Sequence, residues 1–237
     1  MALPEPAAVA RHPHLAGSLP AGWVRVDMHS HTMWSGDSTT TPDEVEEAVV
    51  ASGLDVLCIT DHNAIRGATE LAERLPCRVI VGEELRTHAG EIIGLFLGER
   101  IPMGVAPAEA ARIIRQQGGV VYVPHPFDPM RRNMAEPALY ELAEAGLLDA
   151  VEVLNAKTSL RSLNERAARF AAEFGLAAGA GSDAHVPNAL GAAYVEMPDF
   201  DGPADFLAKL PLGRVVGHHW DEHRPWTPRI LPSVSTE

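Results

Sequence analysis

From Trp23 onward the chain alternates short, unbroken apolar runs with stretches of helical period. The apolar runs predict strands over Val24–Met28, Val56–Thr60, Val79–Gly82, Ile92–Leu97, Val120–Pro124, Val151–Leu154, Leu176–Gly181 and Ala193–Met197, with a ninth candidate over Arg214–Gly217. They are continuous Val/Ile/Leu runs rather than strict alternations, as expected of parallel strands buried on both faces. Between them the helices have identifiable starts and stops. Thr41-Pro42-Asp43-Glu44 supplies an N-cap, a proline at the first helical position and a Glu at the third, a capping box that opens Asp43–Ser52 before Gly53 ends it. Ala108–Gln117 follows Pro107 and closes at Gly118-Gly119; Glu136–Ala145 closes at Gly146, Leu160–Phe174 at Gly175, and Gly202–Leu210 near Pro211. This repeated strand–helix alternation with short links predicts an α/β barrel or a doubly wound sheet. Residues 1–21 read as an N-terminal arm, 22–217 as the folded domain and 218–237 as an irregular tail.

Composition narrows the class. A length of 237 residues suits one large domain, and an apolar fraction of 46% excludes wholesale disorder. The net charge of −13 argues against a long duplex nucleic acid as partner, while leaving room for a small phosphorylated substrate held by a few local cations. Two cysteines, Cys58 and Cys77, provide neither a disulfide framework nor a thiolate zinc site. Met1–Pro20 carries Pro and His where a signal peptide needs an apolar run, and no run of about 20 apolar residues occurs. The expectation is a soluble, cytoplasmic protein without a membrane partner.

The histidines carry the chemistry. There are eleven, none inside a predicted helix, and five of them fall at predicted strand ends. Asp27-Met28-His29-Ser30-His31 ends the first strand, with Asp37 six residues on; Thr60-Asp61-His62 ends the second; Gly82-Glu83-Glu84 ends the third, and Glu91 precedes the fourth. Pro124-His125-Pro126 ends the fifth, the sixth contains Glu152 and ends at Asn155, and Gly181-Ser182-Asp183-Ala184-His185 ends the seventh. Residues i and i+2 of a strand point to one side, so His29 and His31 can face one ion. Parallel barrel strands bring all their C-terminal ends to one rim. Singly, each residue has a plainer reading: Asp61 as a helix cap, Glu83 as a solvated loop acid, His125 as a turn residue, Asp183 as an N-cap. Their coincidence at strand ends is what those readings leave unexplained. Imidazoles and carboxylates without thiols suit Zn²⁺, Mn²⁺ or Fe²⁺, and their number suggests more than one ion.

With these residues in view, the chain from Arg25 to Gly217 resembles the PHP superfamily of metal-dependent phosphoesterases, named for polymerase and histidinol phosphatase domains. The matching motifs are DMHSHTMWSGD, ITDHN, GEE, VPHPFD and GSDAH. The resemblance implies a distorted (β/α)7 barrel with two or three divalent ions (Mn, Zn or Fe) at the strand C-terminal rim. It implies His29, His31, Glu83 and Asp183 around the first ion, with Glu83 bridging to a second completed by His125 and one further residue. That last position is frequently a histidine in the family; here Glu91 occupies it, with His88 three residues earlier as the alternative. Asp37, His62 and His185 are implied for a third ion, Asp37 replacing a histidine of some relatives.

Such a cluster would polarise a phosphoryl group and deliver hydroxide without a Ser or Cys nucleophile. The chain has neither a nucleophile elbow nor a P-loop. His185 or Asp61 is a candidate to move a proton to the leaving group; Asp27 and Asp61 alternatively orient imidazoles or cap loops. Arg131 and Arg132, just after the His125 motif, form either a phosphate clamp or a solvated pair. Lys157 is a further cation of the same kind, Asn155 a candidate partner for a substrate hydroxyl or phosphate oxygen, and Trp34 a pocket wall or a core residue. His218-His219 with His223 suggests adventitious metal affinity. The function expected is hydrolysis of a small phosphate mono- or diester. The alternatives are an exonuclease on short oligonucleotides and a non-catalytic metal-binding module.

Overall fold

In the computed structural model, which describes residues 18–220, strands β1 (Trp23–Ser30), β2 (Val56–Ile59), β3 (Arg78–Thr87), β4 (Gly90–Leu95), β5 (Val120–Val123), β6 (Ala150–Asn155), β7 (Ala177–Gly181), β8 (Ala193–Pro198) and β9 (Arg214–Gly217) form one sheet. Their order is β7-β6-β5-β4-β3-β2-β1-β8-β9. The sheet curls into a nearly closed barrel: beyond the end of β7, Ala184 bridges Ser30 in parallel, the His31 amide donates to Ala184 O at 2.9 Å, and the Asp183 amide donates to His29 O at 2.8 Å. Six helices, α1 (Pro42–Ser52), α2 (Arg66–Ala72), α3 (Pro107–Gln116), α4 (Glu136–Glu144), α5 (Arg161–Phe174) and α6 (Gly202–Lys209), connect the strands. The expected residues 1–17 of the arm and 221–237 of the tail, including His223, lie outside the described residues.

Not every strand is parallel. β1–β2–β3 and β5–β6–β7 are, but β4 runs antiparallel to both β3 and β5, and β8 and β9 are antiparallel additions beside β1. The reason lies past Gly82, where the apolar run gives out but the strand continues. β3 extends through Glu83–Thr87 and returns as β4 after only His88 and Ala89, in register from Thr87↔Gly90 to Gly82↔Leu95. A two-residue link cannot hold a crossover helix, so the pair must be antiparallel. Thr87 Oγ1 secures the turn, donating to Gly90 O at 2.6 Å and accepting from the Ala89 amide at 3.1 Å. Gly90, at φ 124°, lies so close to the Met134 backbone that no side chain fits there.

The helices bear out most of the capping logic. Thr41 and Glu44 form the reciprocal capping box of α1, and Gly53 ends it in the left-handed conformation at φ 66°. α2 has no counterpart among the elements the sequence predicts, because seven residues without a side-chain cap give too little for a periodic signal. α3, α4 and α5 pack Ala110, Ile114, Leu139, Leu142 and Phe170 against Val121, Val123 and Val151 of the sheet. A second cluster, with Val26, Met28, Val56, Cys58, Ile80, Ile93, Leu95, Tyr122 and Ala150, is almost wholly buried. None of the described helices is long and apolar enough to cross a membrane.

Asp27 clasps the seam. Its Oδ1 accepts from the Ser182 amide at 2.9 Å and the His29 amide at 3.3 Å, and Oδ2 accepts from the Gly191 amide at 3.1 Å. Of its two expected roles, it therefore takes the one that ties backbone together, not one that touches an imidazole. Burial raises its pKa to about 6 against the pull of those N–H donors. Gly181 allows the two strand ends to meet, since an added Cβ would collide with His29 Cβ and stand 2.8 Å from Glu152 Oε1. Gly181→Ala is therefore expected to destabilise the fold by about 1–3 kcal/mol, the range for overpacking a filled interior. The urea midpoint reads this, and an unchanged midpoint would show that the seam can open to admit a methyl group.

Candidate metal centre

The polar groups at the rim converge. His29 and His31, two residues apart at the end of β1, face one side and lie Nε2 to Nε2 at 3.0 Å, next to a register irregularity between Asp27 and Ser30. At the centre stands Glu84. Its Oε2 lies 3.4 Å from His29 Nε2, 3.2 Å from His31 Nε2 and 3.1 Å from His62 Nδ1, and its Oε1 lies 3.1 Å from His125 Nε2. Asp183 flanks the group from the β7 end, with Oδ1 3.8 Å from His29 Nε2 and 3.5 Å from His31 Nε2. On the outer side Asp37 reaches His62 Nε2 at 3.2 Å and His185 Nε2 at 3.5 Å. His125 and Asp183 hold positive φ angles of 27° and 49°, which non-glycine residues adopt only under constraint.

Three expected residues lie elsewhere or are otherwise engaged. Glu83 is not at the centre: adjacent residues of a strand face opposite sides, and Glu84 takes the rim side of β3. Glu83 is buried beneath the chain after β4, where its Oε2 accepts from the Ile101 amide at 2.8 Å and burial lifts its pKa to about 7. Asp61 has its oxygens occupied by the Thr32 amide and hydroxyl, each at 2.6 Å, and it does not line the rim cleft. It fastens the turn after β1 rather than reaching a leaving group. Asn155 is fully buried, donating to Glu152 Oε2 at 2.9 Å and Asp183 Oδ2 at 3.3 Å while its own Oδ1 accepts from the Lys157 amide, so it faces the protein, not a substrate.

Of the alternatives at the β3–β4 hairpin, Glu91 faces the rim, 3.7 Å from His62 Nδ1 and 4.0 Å from His125 Nε2. His88 instead lines a separate recess with Pro107 and Arg112. Trp34 packs with the core around Leu57 and Leu71 and is absent from the cleft wall. His219 directs Nδ1 to Ala156 O at 2.8 Å.

The cleft above the cluster measures about 160 Å³ and has a cationic margin of Arg86, Arg131, Arg132 and Lys157. Lys157 Nζ lies 2.9 Å from His185 Nδ1 and 3.5 Å from Asp183 Oδ1, and Arg131 Nε 3.9 Å from Asp183 Oδ2. Arg86, which sequence reasoning missed, donates to Glu91 Oε1 at 3.2 Å. Its signal was available: Arg86 is two residues from Glu84 on one strand and shares its face.

The electrostatics of the centre are those of a site built for added positive charge. Burial opposes ionisation of Glu84, yet the facing histidines more than reverse this and hold its carboxyl well below the usual range. Burial likewise opposes the charge on His29, and Glu152, Glu84 and Asp183 overcome it; His31, buried beside His185, is pushed down instead. His62 Nδ1 is buried without a hydrogen-bond partner. Four groups have donor atoms within 4.8 Å of one another: His31, Asp37, His62 and His185; His29, Glu84 and His125; His29, His31 and Asp183; and His62, Glu84 and Glu91. Orphaned imidazole nitrogen beside carboxylate oxygen, with no thiol, fits divalent cations.

Comparison with known proteins agrees with this geometry. The PHP domain family matches residues 27–125 and the PHP-associated family matches residues 161–215. Protein MJ1587 of Methanocaldococcus jannaschii is 38% identical over 146 residues, covering 56% of this chain and 82% of the relative. Protein MJ0417 of the same organism is 34% identical over 198 residues, covering 80% of each. Among solved structures, a two-domain Bacteroides vulgatus protein containing a predicted PHP-like metal-dependent phosphoesterase superposes with a TM-score of 0.65 at 20% identity, over 85% of this chain and 68% of the other. Endonuclease Q in complex with a 27-mer duplex bearing an abasic lesion superposes with a TM-score of 0.58 at 15% identity, over 78% of this chain and 55% of the other. That complex corrects the expectation drawn from net charge, because this fold is compatible with a duplex partner and overall acidity does not exclude one. The motifs, the barrel and the relatives agree: the chain belongs to the PHP domain family.

Proposed function

We propose that this protein is a metal-dependent phosphoric ester hydrolase acting on phosphate mono- or diesters small enough to enter the rim cleft. The observation that carries the proposal is the buried Glu84 carboxylate among four imidazoles, with a cationic margin directly above it. In this reading His29, His31, Glu84 and Asp183 hold one divalent ion, Glu84, Glu91 and His125 a second, and Asp37, His62 and His185 a third. Bound Mn, Zn or Fe supplies Lewis-acid polarisation of the phosphoryl oxygens and a hydroxide at neutral pH. Glu84, reached by ligands of more than one group, would bridge. Arg131 and Lys157 bind and orient the non-reacting phosphate oxygens, and Arg86 and Arg132 extend that margin. His185, partly exposed at the cleft and within reach of Lys157, would act as a ligand where the third ion is bound and would hand a proton to the departing oxygen only where it is not, because ligation and proton transfer compete for one imidazole. Two free thiols, Cys58 and Cys77, suit a reducing compartment and support a cytoplasmic location. The fold shared with endonuclease Q favours a second reading, in which the ester is a phosphodiester within a nucleic-acid strand.

A panel of phosphomonoesters, cyclic and linear diesters, single strands and lesion-bearing duplex, each with Mn²⁺, Zn²⁺ and Fe²⁺, tests the proposal. Hydrolysis of small esters is the expected outcome; preference for the duplex would establish the second reading, and no hydrolysis at all would leave a metal-binding module.

Substitution separates the two adjacent acids. Glu84→Gln is expected to lower metal affinity about 10–100-fold or more and to abolish turnover, whereas Glu83→Gln keeps the metal. Elemental analysis after reconstitution should find at least two ions per wild-type chain. Retention of metal by the Glu84 variant and loss by the Glu83 variant would reverse the assignment.

Arg131→Ala is expected to lower kcat/KM about 10–150-fold, the equivalent of one charge-assisted hydrogen bond of about 1.5–3 kcal/mol, with metal content unchanged. Unaltered kinetics would return Arg131 to the status of a solvated side chain.

A further inference from the structure

We infer that Glu152, on β6 at the floor of the centre, is the positioning residue that sets the tautomer of His29 and the backbone of His125. The inference rests on the reading of His29 as a ligand. Glu152 is fully buried and both of its oxygens are engaged. Oε1 lies 3.1 Å from His29 Nδ1; Oε2 accepts from the His125 amide at 2.7 Å and from Asn155 Nδ2 at 2.9 Å. One carboxylate thus touches the side chain of one candidate ligand and the backbone of another, across 27 residues in one case and 123 in the other.

The chemistry follows from which groups can donate. An ionised carboxylate only accepts, so the 3.1 Å contact requires a proton on His29 Nδ1. A neutral imidazole protonated at Nδ1 presents the Nε2 lone pair, and it is Nε2 that faces His31, Glu84 and Asp183. Hydrogen bonding of this kind also raises the basicity of a ligating imidazole. At His125 the same carboxylate fixes an amide whose residue stands at φ 27°, so it helps hold a backbone conformation that the sequence would otherwise avoid. Gly181 makes the arrangement possible, since a Cβ there would press on Glu152 Oε1 and on His29 together. The geometry also predicts the effect of the isosteric amide. Oε2 faces two donors, so in Glu152→Gln the carbonyl oxygen belongs on that side and the NH₂ group faces His29 Nδ1. The imidazole must then accept at Nδ1 and carry its proton on Nε2, where a cation would have to bind.

Long-range ¹⁵N–¹H NMR of the metal-free protein, recorded at a pH high enough that His29 is neutral, reads the tautomer directly. The expected result is His29 protonated at Nδ1 in the wild type and at Nε2 in Glu152→Gln. Calorimetric Zn²⁺ titration should show affinity reduced about 10–100-fold in Glu152→Gln, with a Tm within a few degrees of wild type. His29→Ala is titrated in parallel. If His29→Ala weakens Zn²⁺ binding while Glu152→Gln does not, the role of Glu152 is overturned and the ligand reading stands. If His29→Ala also binds normally, the ligand reading falls, and the NMR tautomer alone decides whether Glu152 sets the imidazole. A neutral wild-type His29 whose single proton sits on Nε2 overturns the inference outright.

Discussion

Four imidazole nitrogens crowd one buried carboxylate, and much else in this molecule is arranged to permit it. Left without cations, Glu84 and its neighbours would place like donors and like acceptors a few ångströms apart in a low-dielectric interior. Such an arrangement is costly unless charge is added or the fold compels it. The fold does compel it. Strand ends from opposite sides of the sheet meet at one rim, Asp27 and the His29–Asp183 and His31–Ala184 backbone bonds close the seam, and Gly181 removes the side chain that would hold the strands apart. The positive φ angles at His125 and Asp183 belong to the same economy, with backbone strain tolerated where it aims a side chain at the centre.

The rim of a barrel gathers residues that are remote in the chain, and chemistry is therefore concentrated where the hydrophobic interior stops. Met28, Cys58, Ile80, Leu95 and Tyr122 fill the sheet interior with buried apolar volume. Above the centre, Arg86, Arg131, Arg132 and Lys157 replace apolar residues and give the cleft a cationic margin in a chain whose net charge is −13. Overall charge is thus a poor guide to the local field, and for that reason it failed as an argument against a duplex partner.

Much of this was legible in the chain. The period of two places His29 and His31 on one side, continuous apolar runs mark the strands, and Thr41 and Gly53 bound α1 as their side chains dictate. What escaped did so for physical reasons. Glu83 and Glu84 differ by one position, and in a strand one position is a change of face; the apolar run that fixes the phase of β3 ends just before them. The antiparallel return of β4 depends on a two-residue turn with no strong turn dipeptide, so the apolar pattern starts the strand after Glu91 although Glu91 lies within it. Asp61 and Asn155 are polar residues of the right type in the right neighbourhood, but their hydrogen-bonding capacity is spent on Thr32 and on Glu152 and Asp183, which only the folded arrangement reveals. Glu152 stands out in the sequence as an acid in the sixth strand, but its role does not, because its contacts with His29 and His125 are non-local.

The central claim is that Glu84 is the hub of a multinuclear metal site. Anomalous diffraction from crystals of the reconstituted protein, measured at the absorption edge of the added metal, tests it most directly. The account predicts at least two anomalous peaks, both within bonding distance of the Glu84 carboxylate and one of them also on His29 and His31. A single peak away from Glu84, or peaks ligated by Glu83, would contradict it.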